Sequence, residues 1–383
     1  MLCEGSQRPL ERPERREALL RDARRLGATD LFVQVYRGGR AWFDSTHADA
    51  APFERMVQAQ GVDPLRELVR EAHARGLRVH AWVNVLSLAR NRDAPLLARL
   101  GPGAAMVDQH GRSVLDYRDF DLSGEERRYL RMGTPQLWID PAAPGVAEDL
   151  AATFAELFAR YPELDGLHLD YLRHPDVLPF SPGSRFGVGL HFGYGEATRH
   201  RFREETGLEA PFGDQLRNAN AWDRWRREKV TELLARIREA VLAARGDAVI
   251  SAAVWPWPAR AYLSLLQDWR GWLDAGLLDL AVPMLYSTDD HLFRLQARSL
   301  AGEPAADRIW LGIGAWLFAA DPARARRQVR VARGTGLPGE VLFSWDALAE
   351  HESLLAGLAE PSPGRGPDAP AHPRSEAADA VGP

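Results

Sequence analysis

Short runs of apolar, β-branched and aromatic residues recur along the chain at 31–36, 78–86, 167–172, 249–255, 280–286, 309–316 and 341–345. Between them lie stretches with helical periodicity. Residues 63–75 read as a helix, with Pro64 in its first turn and Gly76 as its stop. Residues 14–26, 222–245, 261–275 and 322–333 read as further helices, three of them ending at Gly246, Gly276 and Gly334. Strand and helix alternate, which predicts βαβ units and a parallel sheet. Seven strands are clear. The helix at 14–26 needs a strand before it, and only residues 1–4 are available, so the chain as given is expected to start inside strand 1. Eight strands and eight helices predict an α/β fold, a (β/α)8 TIM barrel with strand 1 largely truncated. A doubly wound sheet is the weaker alternative, because no glycine-rich phosphate loop follows a first strand. The barrel is expected to occupy residues 1–358, with long loops at 87–140 and 173–221, both on the C-terminal side of the strands where barrel enzymes place their sites. Residues 359–383, rich in Pro, Ala, Gly and charge, read as a disordered tail.

Alternation along each strand sorts the side chains into two faces. Leu31, Val33 and Val35 oppose Gln34 and Tyr36; Val79, Ala81 and Val83 oppose His80, Trp82 and Asn84; Leu167 and Leu169 oppose His168 and Asp170; in the last run Ser344 and Asp346 are assigned to the inward set. The apolar sets belong under the helices, and the mixed polar and aromatic sets point into the barrel. Gln34, Asn84, His168, Asp170 and Asp346 are thereby expected near one mouth, with Trp255, Tyr286, Trp316 and Trp345 at the ends of strands 5 to 8. Aromatic rings stack on the C–H faces of sugars, and carboxylates manage a glycosidic oxygen. Asp170 stands out, because a carboxylate inside a barrel is expensive without a partner or a task.

The chain has 383 residues, 45% hydrophobic and 26% charged, enough for a large core. Its net charge of −5 shows none of the basic excess of a nucleic-acid binder. No apolar run approaches the ~18 residues of a membrane helix. Cys3 is the sole cysteine, so an intramolecular disulfide and a cysteine-based zinc site are both excluded. No signal peptide is visible in the chain as given. The short strand 1 fits a start codon further upstream, and the protein would then be exported or periplasmic.

The stretch Asp-Gly-Leu-His-Leu-Asp-Tyr-Leu-Arg-His-Pro at 165–175 resembles the strand-4 motif of the bacterial glycosyl-hydrolase-like family 10, D-G-[IL]-H-[FL]-D-[DY]. The helix and strand from Asp63 through His73 and Gly76 to Asn84 resemble the same family. So do the segment Trp138 to Pro141, the helix opening at 222–227, and the region from Trp272 through Asp279 and Pro283 to Tyr286. The likeness covers roughly residues 17–350. Two positions depart from it: Tyr171 replaces a second aspartate, and Met284 replaces a glutamine.

The resemblance implies a glycosidase barrel acting on a polysaccharide, with cell-wall glycan as one candidate, and no cofactor. Glycosidases use two carboxyl groups. Asp170 is placed at the centre and Asp346 as the second carboxylate, with Glu4 and Asp289 in reserve. His168 and Arg173 would orient Asp170 or bind a sugar hydroxyl; Gln34, Asn84, Trp255, Tyr286, Trp316 and Trp345 would bind substrate. Retaining, inverting and substrate-assisted mechanisms all remain open. Two other readings stand beside this one. One is a metal-dependent deacetylase built on His168, Asp170 and His174, with His191 and His200 nearby. The other is a non-catalytic glycan-binding barrel.

Overall fold

The computed structural model describes residues 2–3, 8–179, 183–184, 189–213 and 215–359. Glu4 and the expected tail from 360 onward lie outside these. Eight parallel strands carry the fold: β1 (Leu2–Cys3), β2 (Asp30–Arg37), β3 (Arg78–Asn84), β4 (Gly166–Asp170), β5 (Val249–Val254), β6 (Leu280–Pro283), β7 (Trp310–Gly314) and β8 (Gly339–Phe343). β1 to β6 are hydrogen-bonded in chain order, and β7 pairs with β8. Bridges at Ala281–Ile309 and Met284–Gly312 join β6 to β7. β8 lies beside β1, although no ladder joins them among the described residues.

Strand alternation decides what packs where. Leu31, Val33, Val79, Ala81, Val83, Leu167 and Leu169 belong to the large core shared with the helices. Phe32, Trp82, Leu280, Val282 and Val341 form a separate cluster on the opposite face. Phe32 is fully buried there, stacked on His80 (centroids 4.8 Å, 21°) and edge-on to His168 (4.8 Å, 67°). His80 has space because position 166 is glycine: a Cβ there would collide with the imidazole and with the carbonyl of Val249. At the N-terminal end of the strands Asp30 takes both Arg78 (2.8 and 2.9 Å) and His80 (2.9 Å).

Three expectations need correction. Simple alternation puts Tyr36 beside Gln34 on the inward face. A register shift between Gln34 and Tyr36 turns the tyrosine to the helix layer, where its ring meets Phe154 edge-on at 5.4 Å. The helix expected at 261–275 is two helices, Pro258–Ser264 and Trp269–Asp274. Leu266, at φ 53°, breaks them apart. The break brings Gln267 inward, where its Nε2 donates to the carbonyls of Leu172 (3.3 Å) and Ala253 (3.2 Å) and its Oε1 accepts from the Trp255 N–H (3.0 Å). Gln267→Ala is therefore expected to leave buried backbone groups unpaired at the ends of β4 and β5. The cost is about 1–3 kcal/mol, read as a lower denaturant midpoint. Third, β8 ends at Phe343 and a helix starts at Trp345 (Trp345–Glu350), so Ser344 and Asp346 are not on a strand face.

The long segments after β3 and β4 are ordered against each other. Arg131–Met132 pairs antiparallel with Val177–Leu178. Asp108 bridges Phe192, and the Gln109 N–H donates to the His191 carbonyl at 3.0 Å. Inside the first segment, Asp108 is fully buried and accepts from Tyr117 (2.7 Å) and Arg112 (2.8 Å). No helix is long and apolar enough to cross a membrane among the described residues.

Candidate active site

The C-terminal ends of β3 to β8 surround a cavity of about 670 Å³, within the range of small-molecule and sugar sites. Asp170, the last residue of β4, lies in it beside Asn84, its register neighbour on β3. Its carboxyl is surrounded by protein on most sides but opens to the cavity, which leaves it half-buried by exposure. Burial raises its pKa above the ordinary carboxylate value. The Tyr171 N–H, donating at 2.7 Å, and the positive field of Arg173 oppose that rise only in part. The Trp82 indole N–H also favours the carboxylate electrostatically, yet it stops short of a well-formed hydrogen bond. Tyr171 reaches its position with φ 55°, a left-handed conformation uncommon for a side chain of its size. That turn places its N–H on Asp170 and its ring against Trp138 (5.6 Å, edge-on).

His168 also lines the cavity and is 1% exposed. Its Nδ1 lies 2.9 Å from the Ser251 hydroxyl, and its Nε2 has no protein partner. Burial, aided by the electrostatic influence of neighbouring His80, lowers its pKa to about 3. The ring is thus neutral at working pH and suits hydrogen bonding, not proton storage. Arg173 lines the same cavity, 6% exposed, among the rings of Trp138, Tyr171 and Trp255 at 5.1, 5.3 and 5.9 Å. Trp255, Tyr286 and Trp316 line the walls; Tyr286 meets Trp316 edge-on at 4.7 Å and stacks on Phe343 at 5.6 Å.

The remaining expected residues sit elsewhere. Gln34 and Asn84 are buried and bonded to each other at 3.3 Å, just outside the cavity wall. Trp345 is 1% exposed and turned away, its indole donating to Asp22 at 3.0 Å. Asp346 falls in the first turn of the helix after β8 and does not line the cavity. Asp289 caps the helix Asp290–Ala301, accepting from the N–H groups of His291 (2.8 Å) and Leu292 (3.0 Å), which lower its pKa. Asp170 is the one carboxylate among the described residues lining the cavity. The histidines considered for a metal are not assembled: His174 and His191 line a different, tighter hollow, and His200 pairs with Glu204 at 3.3 Å. Among the described residues no cluster of three potential metal ligands forms.

Among the cavity residues that escape the strand-face reading are Trp257, Arg260 and Phe343. Trp257 and Arg260 follow β5, where a Trp-Pro-Trp-Pro run was their visible signal. Arg260 covers Trp255 at 4.2 Å and pairs with Asp176 at 2.7 Å. A second hollow of about 700 Å³ beside Trp42 and Arg55 does not include Asp170 in its walls.

Residues 4–302 match the family described as glycosyl hydrolase-like 10. Glycosyl hydrolase DigH of Escherichia coli O6:H1 is 25% identical over 355 residues, 86% of this chain and 72% of that protein. The K12 protein of the same name is 25% identical over 313 residues, and there the chain spans 62% of the relative. Glycosyl hydrolase YngK of Bacillus subtilis is 23% identical over 286 residues, 70% of this chain and 48% of the relative. Among solved structures, a GH42 β-galactosidase from G. stearothermophilus superposes with a TM-score of 0.59 at 12% identity, over 93% of this chain and 55% of that one. The catalytic domain of a β-amylase from Paenibacillus polymyxa gives 0.55 at 14% identity, over 89% and 92%. These likenesses are of fold.

Proposed function

The chain belongs to the glycosyl hydrolase-like 10 family, and from that premise we propose that it is a glycoside hydrolase of (β/α)8 architecture. Its reaction is cleavage of O-glycosidic bonds in a polysaccharide, bacterial cell-wall glycan being one candidate. The observation that supports this most is Asp170, a half-buried carboxyl of raised pKa on an aromatic-walled cavity. A carboxyl whose pKa is raised by burial is suited to donate a proton to the departing glycosidic oxygen. Trp255, Tyr286 and Trp316 offer the faces on which sugar rings stack, and the free Nε2 of neutral His168 offers a hydrogen-bonding site for a hydroxyl.

The second catalytic role belongs to another carboxylate or to a substituent of the substrate itself. One observation favours a non-catalytic glycan-binding barrel instead: a single carboxylate lines the cavity among the described residues. Reducing-end release over a polysaccharide panel, including peptidoglycan stripped of its peptides, separates the two. Release from at least one glycan supports hydrolysis. Binding without release from any of them supports the binding barrel.

A further inference from the structure

Arg173 is a buried cation that makes no ion pair among the described residues; Asp170 and Asp176 act on its charge only from beyond contact distance. Its Nη1 donates to the carbonyl of His174 at 3.1 Å. Nε and Nη2, one edge of the guanidinium fork, have no acceptor among the described residues, and no carboxylate lies within 4 Å. Asp176, the acid next along the same loop, is engaged by Arg260 at 2.7 Å. The three rings around Arg173 attract its charge through their faces but accept none of its in-plane N–H groups. Burying a guanidinium on these terms costs free energy. Asp170 offsets part of that cost when ionised, but the proposed acid role needs Asp170 protonated. The unsatisfied edge belongs to a residue that lines the cavity.

We propose that Arg173 recognises a carboxylate on the substrate, so that the glycan bound here is an acidic one. This rests on the glycosidase reading for the nature of the ligand, and it adds the substituent that the sugar must carry. The geometry fits a carboxylate better than a hydroxyl. The planar fork offers two parallel N–H donors to two oxygens, and the charge is matched. The neighbouring rings then hold the sugar that bears the group.

Equilibrium binding to the folded Asp170→Asn chain tests the proposal without turnover. The probes are hyaluronan oligosaccharides, oligogalacturonates and peptide-free peptidoglycan strands. Each is paired with its counterpart in which the carboxyls have been reduced to primary alcohols. The expected result is that at least one acidic probe binds about ten- to a hundredfold more tightly than its reduced partner, the size of a charge-assisted contact. Adding Arg173→Gln should abolish that difference between the acidic and the reduced probe, and Arg173→Lys should keep part of it. The thermal melt of the Arg173→Gln variant should match or exceed that of the parent, since a buried charge without an ion-pair partner is being removed.

Equal binding of acidic and reduced probes overturns the proposal, and so does the absence of binding by every acidic probe. If Arg173 serves only to hold Asp170 ionised, Arg173→Gln in the wild-type background shifts the pH profile equally on acidic and neutral glycans, which also overturns it. Reducing-end release by wild type is read separately. Arg173-dependent binding of an acidic glycan without release would leave this proposal standing and the hydrolase reading fallen.

Discussion

Asp170→Asn should lower the rate of glycan cleavage by about a hundredfold to ten-thousandfold, the range attributed to a positioned general acid. The amide keeps the shape of the side chain and can still accept from the Tyr171 N–H, but it has no proton of suitable acidity to give. The pH dependence sharpens the test. Burial raises the Asp170 pKa, so wild-type activity should persist to higher pH than an ordinary carboxylic acid would allow and then fall as the acid ionises. That falling limb should vanish from the residual activity of the variant. Stability carries the opposite sign. A carboxyl whose pKa is higher folded than unfolded costs nothing at pH below the unfolded value of about 4. It costs progressively more as pH rises through the folded value. Melts of the two proteins should therefore coincide near pH 4, and Asp170→Asn should melt higher at pH 7.5. A variant that is inactive and also less stable at pH 7.5 would point to a structural role instead.

The largest expected loss of stability comes from Phe32→Ala, at about 3–5 kcal/mol by denaturant unfolding. Phe32 is fully buried between two imidazoles that already lack a full set of partners. Removing the ring leaves a cavity bordered by polar nitrogens, which water can enter. The His168 pKa, held at about 3 by burial, should then move back toward 6.5. In wild type the stability attached to neutral His168 is whole above about pH 6.5 and is lost as pH falls toward 3. The variant should be less stable at neutral pH yet lose less of what remains on acidification to pH 5. NMR titration of the imidazole C–H signals reads the shift directly, and an unchanged His168 pKa would argue that the ring's space collapses instead of filling with water.

The strand and helix rhythm was legible because each strand keeps period-two alternation with one face under the helices. Val33, Ala81 and Leu167 follow it, and so does the inward set of Phe32 and Trp82. What was not legible depends on single residues that break a period. The register shift after Gln34 turned Tyr36 outward, and no residue type there announces a bulge. The break at Leu266 serves carbonyls on β5 and beyond β4, partners distant in sequence. Trp345, apolar but already the first residue of the next helix, extends the strand pattern past Ser344 and carries Asp346 with it, although the strand ends at Phe343. Trp345 finds its partner in Asp22, 323 residues away. Asp170 was legible from its place at the end of an inward-facing strand. The isolation of Arg173 was not, since a sequence shows which residues are charged but not which charges meet.

The pairing of Arg131–Met132 with Val177–Leu178 bears on how this mouth could be re-engineered. Each of these two-residue strands supplies the only ladder partner of the other among the described residues. Transplanting either loop alone into a related scaffold would carry over an unmatched backbone edge, with donors and acceptors exposed to chance pairing. The two insertions therefore constitute one transferable cassette, to be exchanged as a pair or not at all.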